Sequence, residues 1–172
     1  QEICELKSKL EIAPGVYDYL LYSPKIAKAA AEGQFVNVLC DGYTLRRPIS
    51  ICGYDKESGM LRLVFEVRGK GTDWLSKCEK GDELDLIGPL GHGFSKIDAS
   101  KKAVLVGGGI GTPPLLPLAE RYGKNAAVIT GFRTAVAAIL QDDFAKAGAR
   151  TILCTDDGSA GIHGFTTQAL EQ

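Results

Sequence analysis

The first ninety residues of the chain contain short apolar runs in which hydrophobic and polar side chains alternate, separated by glycine, proline and charged turn residues. Runs of this length, rich in β-branched and aromatic residues, predict an antiparallel barrel or sandwich. The predicted strands cover residues 3–12, 16–22, 34–40, 47–54, 60–67 and 83–88, and a short helix is predicted over 72–77.

After residue 102 the pattern changes to an apolar run, a glycine turn and an amphipathic stretch, repeated along the chain. Alternation of this kind predicts a parallel sheet with right-handed crossovers. The predicted strands cover 103–106, 126–130 and 151–154, and helices are predicted over 114–122, over 136–147 and from 164 onward. Because residues 95–102 are polar, we expect a β-barrel domain over 1–98 and an α/β domain over 99–172.

Charge and composition narrow the function classes. The 172 residues include 20 basic and 21 acidic side chains, a formal net charge of −1, so neither nucleic acid nor an anionic membrane is expected as a partner. No apolar run approaches the roughly 20 residues of a membrane-spanning helix, and the expected compartment is the cytosol. The chain opens on Gln1 and stops as a helical pattern begins, so we expect a piece of a longer protein, incomplete at its C-terminus.

Five scattered cysteines contain no C-x-x-C pair, which indicates neither a disulfide framework nor a zinc or iron–sulfur site. Their simplest interpretation is as small buried hydrophobic residues. We therefore predict no metal ligands in this sequence.

A glycine-rich turn follows the first predicted strand of the α/β half. Glycines let a ligand phosphate approach backbone N–H groups, and prolines are tolerated in the first turn of the helix that follows. The turn therefore predicts a dinucleotide site, although an ordinary tight turn between strand and helix has the same pattern. Its residues are Gly107, Gly108, Gly109, Ile110, Gly111 and Thr112.

A second candidate element lies on the fourth predicted strand, where Arg47, Pro48, Ile49 and Ser50 follow one another. Proline within a strand indicates an edge or a bulge, so the backbone there could accept a ligand. The planar fork of Arg47 suits a phosphate, and the Ser50 hydroxyl suits a heterocycle nitrogen. A surface arginine beside a strand bend is the alternative interpretation.

The third candidate is the turn before the short helix, where Gly71 and Thr72 precede Trp74. With Thr72 as its N-cap, the helix start would present free N–H groups and a positive dipole end to an anion. A routine N-cap without a ligand explains the same residues.

Taken in order, these elements resemble the ferredoxin-NADP reductase superfamily, in which a flavin-binding barrel precedes a nicotinamide-nucleotide domain. Within it the sequence is most similar to the electron-transfer subunits of bacterial NAD-dependent dihydroorotate dehydrogenases. The resemblance extends from residue 34 to the end, through 47–50, 64–66, 71–72, 88–94, 107–114 and 157–164.

The resemblance implies an FAD held by the barrel. Arg47, with Pro48 and Ile49 beside it, would steady the FAD pyrophosphate, and Ser50, the one catalytic candidate, would lie near the flavin nitrogen that accepts hydride. Val64, Phe65 and Glu66 would supply backbone contacts to the flavin. Gly71 and Thr72 would cap the pyrophosphate at the start of the short helix.

The glycine loop would then bind the pyrophosphate of a nicotinamide nucleotide. Arg133 could meet the 2′-phosphate of NADPH, whereas Asp156 and Asp157 would repel it. The resemblance favours NADH over NADPH.

The implied function is electron transfer from NADH through FAD to the catalytic subunit of a dihydroorotate dehydrogenase, in pyrimidine biosynthesis. Full-length members of that group also carry a [2Fe-2S] centre, but its four-cysteine pattern is absent from this sequence. Two alternatives remain open: a stand-alone NAD(P)H-dependent ferredoxin or flavodoxin reductase, and a non-catalytic fragment that binds flavin or a partner.

Overall fold

Six strands in the N-terminal half of the chain pair antiparallel and close into a barrel. They are β1 (Glu2–Ala13), β2 (Val16–Tyr22), β3 (Phe35–Val38), β4 (Arg47–Asp55), β5 (Met60–Glu66) and β6 (Glu83–Leu90). Their order around the barrel is β1-β2-β5-β4-β3-β6, and β6 closes onto β1. The computed structural model describes residues 1–95 and 97–171, and this barrel forms a compact unit over Gln1–Phe94.

Two short helices accompany the barrel, α1 (Pro24–Ala29) and α2 (Lys70–Leu75). The buried hydroxyl of Tyr19 donates a hydrogen bond to the carbonyl of Leu75 at 2.5 Å, and Leu75 itself packs into the barrel core. The C-terminal end of α2 is thereby fixed to the barrel interior, and this attachment sets where the N-terminal end of the helix lies.

Helix α1 was not predicted from the sequence. A carboxylate oxygen of Glu2, at the start of β1, accepts hydrogen bonds from the hydroxyl of Ser23 and the N–H of Ile26. These bonds satisfy the start of a helix whose own residues include no acidic cap. The stabilising partner is distant in sequence, so the local pattern gave no signal.

The second unit begins at Ser95 and contains a parallel sheet of four strands in the order β10-β9-β8-β7. The strands are β7 (Ala103–Gly108), β8 (Ala126–Phe132), β9 (Arg150–Thr155) and β10 (Ile162–His163), and the helices are α3 (Leu116–Tyr122), α4 (Gln141–Lys146) and α5 (Thr166–Leu170). Helices α3 and α4 pack together, and α5 packs on β7, β8 and β9. In the described part of the chain, no helix has the length and apolar character needed to cross a membrane.

The expected fold class, a β-barrel followed by a parallel α/β unit, is confirmed. One predicted helix was wrong, and a short strand was not predicted. The helix expected over 136–147 is a single 3₁₀ turn, Ala135–Ala137, followed by α4, because Leu140 between them adopts a left-handed conformation with φ of 63°. The two-residue strand β10 was missed because so short an element has no periodicity to read.

Candidate functional site

Strands β4 and β5 separate at one end of the barrel. Their pairing includes the partners Ile51 and Leu63, whereas residues 47–50 pair with β3 and residues 64–66 pair with β2. Among the described residues, 47–50 and 64–66 are not paired with each other. Two backbone edges are therefore available beside each other, which is the arrangement that a bound ligand can occupy between strands.

The side chain of Arg47 lies at this end of the barrel, packed against the backbone of Gly71. A β-carbon placed on Gly71 would lie 2.7 Å from Cζ and 2.8 Å from Nη2 of Arg47. Nη1 donates to the carbonyl of Leu45 at 2.6 Å, and the guanidinium stands 5.7 Å from the ring centroid of Tyr43. The structure therefore brings together two residues that the sequence analysis selected separately.

The other edge of this guanidinium, with Nε and Nη2, faces Gly71. Among the described residues, Arg47 makes hydrogen bonds through Nη1, to the carbonyls of Leu45 and Arg46, and through no other nitrogen. Nε and Nη2, the atoms beside Gly71, are the pair that can donate in parallel to two oxygens of a phosphate or carboxylate. The geometry fits an oxyanion held against the start of α2.

Thr72 is not the N-cap that the sequence predicted. Helix α2 begins at Lys70 and its N-cap is Gly69, so Thr72 is the third helical residue. Its hydroxyl accepts the N–H groups of Arg68 and Gly69, at 2.8 and 3.2 Å, and donates to the carbonyl of Gly69. This hydroxyl shapes the turn, and the N–H groups of the first helical turn remain without intrahelical acceptors.

The remaining barrel candidates surround the separated edges. Pro48 is exposed and Ser50 is half-buried, whereas Ile49 faces the barrel core. Phe65 also faces the core, where it stacks on Tyr17 with ring centroids 5.8 Å apart. Val64 is buried, and Glu66 forms an ion pair with Arg68 at 2.7 Å. Because Phe65 is enclosed, it can contribute only backbone groups to a ligand.

The glycine loop connects β7 to the 3₁₀ turn Pro113–Leu115 that precedes α3. A β-carbon on Gly107 would lie 2.7 Å from Cδ1 of Leu115 and 3.2 Å from Cα of Thr112, so only glycine allows this close packing of strand on helix. Gly109 has a positive φ of 50°, and β-carbons on Gly109 or Gly111 would meet no atom within 4 Å. One side of the loop is therefore packed and the other is open.

Thr112 ends this loop with a fully buried side chain whose hydroxyl has no hydrogen-bond partner within the described residues. Its backbone N–H donates to the carbonyl of Gly109. A buried hydroxyl without a partner is unfavourable by about 1–3 kcal/mol. The side chain of Thr112 is therefore enclosed and does not line the open side of the loop.

The loops that follow β8 and β9 lie at the same edge of the sheet as the glycine loop, because the carboxyl ends of parallel strands meet there. The hydroxyl of Ser159 accepts the N–H of Ala135 at 2.7 Å and donates to Asp157 at 2.6 Å. This bond to Ser159 is the main cause that lowers the pKa of Asp157, which is therefore ionised at neutral pH. Arg133, which directly follows β8, is exposed, and its backbone carbonyl accepts a hydrogen bond from the N–H of Asp157.

The five cysteines are all buried and none is in a disulfide. Burial raises the pKa of Cys4 and of Cys78 to about 11, so both are protonated at neutral pH. Within residues 1–95 and 97–171, no group of three or more histidine, cysteine, aspartate or glutamate side chains is arranged to hold a metal ion.

Three contacts of these sites were missed from the sequence. They are the ring of Tyr43 beside Arg47, the ion pair between Arg46 and Asp85, and the link between Ser159 and Ala135. The aromatic residue four positions before Arg47 was a weak local signal. The other two contacts join segments that only the folded sheets bring together.

The chain is similar to proteins named as the electron transfer subunit of dihydroorotate dehydrogenase B (NAD(+)). It is 35% identical to that of Fusobacterium nucleatum over 179 residues, covering 99% of this chain and 69% of the relative. It is 39% identical to that of Geobacillus thermodenitrificans over 173 residues, covering 96% of this chain and 67% of the relative. The chain thus spans about two thirds of the length of these relatives, and no protein-family model matches it.

Solved structures agree with this likeness. A chain from the NADH-dependent reduced ferredoxin-NADP oxidoreductase, described in connection with flavin-based electron bifurcation, superposes with a TM-score of 0.88 at 33% identity, covering 99% of this chain and 63% of that one. The ferredoxin reductase of carbazole 1,9a-dioxygenase superposes with a TM-score of 0.84 at 19% identity, covering 98% and 55%. The second likeness concerns the fold alone.

Proposed function

We propose that this chain, which belongs to the family of electron-transfer subunits of NAD(+)-dependent dihydroorotate dehydrogenase B, holds FAD on its barrel and takes electrons from NADH. The observation that carries the proposal is the packing of the Arg47 guanidinium against Gly71, at the start of α2 and beside the separated edges of β4 and β5. When bound, FAD supplies a hydride acceptor that can release electrons singly.

The chain's own residues bind and orient the flavin. Nε and Nη2 of Arg47 donate to the pyrophosphate, together with the free N–H groups at Gly71 and Thr72. The unpaired backbone edges at Pro48, Ile49 and Ser50 and at Val64, Phe65 and Glu66 would hold the isoalloxazine end. The Ser50 hydroxyl would supply a hydrogen bond to the flavin ring. No residue has to act as a nucleophile or general base.

The nicotinamide nucleotide is assigned to the open side of the glycine loop, where backbone N–H groups of the loop would meet its pyrophosphate. We assign NADH rather than NADPH, because the ionised Asp157 would repel a 2′-phosphate at the same edge of the sheet. The described cysteines are buried and do not form a ligand set, so we assign no [2Fe-2S] ligand to this part of the chain.

The partner that receives the electrons is, in this proposal, a dihydroorotate dehydrogenase catalytic subunit. This follows from the names of the relatives, and the chain covers about two thirds of their length. A second candidate is a subunit of a ferredoxin-NADP oxidoreductase, favoured by the 33% identity to such a chain. Mixing the reduced protein with each candidate partner, and following reoxidation of the flavin, separates the two.

The first experiment is an absorption spectrum of the purified chain, with identification of any released flavin and reconstitution of apoprotein with FAD. We expect a flavin spectrum with one FAD bound per chain, and anaerobic NADH should bleach it faster than NADPH. A colourless protein that FAD cannot reconstitute contradicts the flavin proposal. Faster bleaching by NADPH contradicts only the assignment of NADH.

A further inference from the structure

Arg46, the residue before Arg47, is held across the barrel by Asp85 of β6. Its Nη1 and Nη2 lie 3.2 and 2.9 Å from the two carboxylate oxygens of Asp85, and Nη1 also donates to the backbone carbonyl of Asp85 at 2.9 Å. A longer bond reaches the carbonyl of Asn37 on β3 at 3.4 Å. The carboxylate accepts a further bond from the side chain of Gln1 at 2.7 Å.

This ion pair is partly buried, with the two side chains 20% and 18% exposed. The hydrogen bond from Arg46 is the main cause that lowers the pKa of Asp85, so the carboxylate is charged throughout the neutral range. A planar fork held at two carboxylate oxygens and a carbonyl has little freedom to move. Arg46 therefore fixes the backbone at the point where the loop from β3 enters β4.

The guanidinium of Arg47 depends on the same backbone. Its Nη1 donates to the carbonyls of Leu45 and Arg46, the two residues immediately before it, at 2.6 and 3.5 Å. Tyr43, on the same loop, supplies the ring beside its Cζ. The groups that aim Arg47 at Gly71 are thus carried by the loop that Arg46 and Asp85 anchor.

We infer that Arg46 and Asp85 are a positioning pair, which holds the Leu45 and Arg46 carbonyls where they direct Nε and Nη2 of Arg47 to an oxyanion. This inference rests on the proposed FAD site and assigns to it two residues that do not touch the ligand. Its alternative is that the pair only joins β6 to the start of β4.

A long-range charge effect and a positioning role predict opposite changes in FAD affinity when Asp85 is replaced. Replacing the carboxylate by an amide removes one negative charge, so electrostatics alone would make the protein bind the FAD anion more tightly. Positioning predicts weaker binding, because Arg46 loses its two-point partner and the carbonyl that holds Arg47 is released. Asp85→Asn therefore separates the two effects by their sign.

The barrel offers a matched control in Arg62 and Asp18. Nε and Nη2 of Arg62 bind the carboxylate of Asp18 at 3.0 and 2.7 Å, and the side chains are 24% and 15% exposed. This pair joins β2 to β5, and neither residue belongs to the loop before Arg47. Asp18→Asn removes the same charge and a comparable ion pair without disturbing that loop.

The experiment is a double-mutant cycle on FAD affinity, with Asp85→Asn, Arg47→Ala and their combination, and with thermal unfolding of each apoprotein. We expect Arg47→Ala to weaken FAD binding about 10- to 100-fold and Asp85→Asn about 3- to 10-fold. In the Arg47→Ala background, Asp85→Asn should change the affinity less than about twofold. Asp18→Asn should leave the FAD affinity within about twofold of the unmodified chain.

Arg46→Lys is a second variant, in which the charge is kept but the planar fork is lost, and it should also weaken FAD binding. Equal effects of Asp85→Asn in both backgrounds would assign the pair a purely structural role and overturn the inference. Unchanged or tighter binding in Asp85→Asn would overturn it as well. If Arg47→Ala itself leaves FAD affinity unchanged, it is the proposed FAD site that fails.

Discussion

The guanidinium of Arg47 occupies the space that a side chain at Gly71 would need, with Cζ only 2.7 Å from the position of a β-carbon. Gly71 is buried and belongs to the first turn of α2, so the packing fixes the distance between an arginine on the barrel and the N–H groups of a helix. Arg47 can approach those N–H groups because residue 71 has no side chain. This relationship makes the glycine a direct test of the proposed anion site.

Gly71→Ala should displace the Arg47 guanidinium while the fold is kept. The new methyl group clashes with the movable end of a side chain, and alanine is a better helix former than glycine. We expect FAD affinity to fall about 10- to 100-fold, the equivalent of one or two charge-assisted hydrogen bonds. Titration of apoprotein with FAD, followed by flavin fluorescence, measures the change.

Gly69→Ala is the matched control, because a β-carbon there would meet nothing within 4 Å. This variant should bind FAD as the unmodified chain does. Equal affinities for Gly71→Ala and Gly69→Ala would show that the contact between Arg47 and Gly71 has no part in flavin binding.

In the glycine loop, the packing of the fold and the binding of the nucleotide can be tested at different residues. Gly107→Ala places a methyl group against Leu115 and the backbone of Thr112, and should destabilise the chain by about 1–3 kcal/mol. Gly111→Ala places its methyl group in open space, so stability should be kept while the approach of a pyrophosphate is hindered. We expect the KM for NADH in flavin reduction to rise about tenfold or more in Gly111→Ala.

Thermal unfolding and stopped-flow reduction by NADH measure the two effects. Should Gly111→Ala accept electrons from NADH with an unchanged KM, the nucleotide does not lie on the open side of this loop. Should Gly107→Ala be as stable as the unmodified chain, the packing of β7 on Leu115 is looser than the structure describes.

The parts of the fold and site that the sequence predicted are those with local signals. The alternation in β2, β4 and β5 located the barrel strands, and the glycines after β7 located the turn into the helical segment. Arg47 and Gly71 were each selected by residue type, but their contact depends on the attachment of α2 to Tyr19 inside the barrel. No sequence pattern reports such a contact.

Two other features could not be predicted from the local sequence, one because its signal was ambiguous and one because it had no signal. The sequence around Gly69 and Thr72 permits a helix that starts at either residue, and the bonds from Arg68 and Gly69 to the Thr72 hydroxyl decide the start. Leu140 carries no signal for a left-handed conformation, which is unusual for a leucine, so the break before α4 could not be foreseen.

Thr112→Val should raise the free energy of unfolding. The hydroxyl is fully buried without a partner in the described structure, and valine has nearly the same shape without the unsatisfied group. We expect a gain of about 1 kcal/mol, measured by urea unfolding. Thr155→Val is the control, because the equally buried hydroxyl of Thr155 donates to the carbonyl of Ala160 at 2.7 Å, and its loss should cost about 1–3 kcal/mol.

If Thr112→Val destabilises the chain as much as Thr155→Val does, the Thr112 hydroxyl forms a hydrogen bond in solution. That result would contradict the absence of a partner for this hydroxyl in the described structure. The comparison uses the same substitution at two buried positions of one unit. The intrinsic difference between threonine and valine therefore cancels.

The buried thiols predict a loss of stability at alkaline pH. Burial raises the pKa of Cys4 and Cys78 from 9.0 to about 11, and it also raises the pKa of Cys40 and Cys154. Between these values the unfolded chain has released thiol protons that the folded chain keeps, so the folded state binds more protons. Stability is then full below about pH 9 and falls as the pH rises toward 11.

Urea unfolding at intervals from pH 7 to pH 10.5, with reductant present, measures this slope. Each thiol contributes up to about 1.4 kcal/mol per unit of pKa difference. The variant carrying Cys4→Ala and Cys78→Ala should be less stable at pH 7, because two buried side chains are shortened, yet should lose less stability between pH 9 and pH 10.5. A slope as steep in this variant as in the unmodified chain would assign the alkaline loss to groups other than Cys4 and Cys78, foremost Tyr19, whose pKa burial also raises.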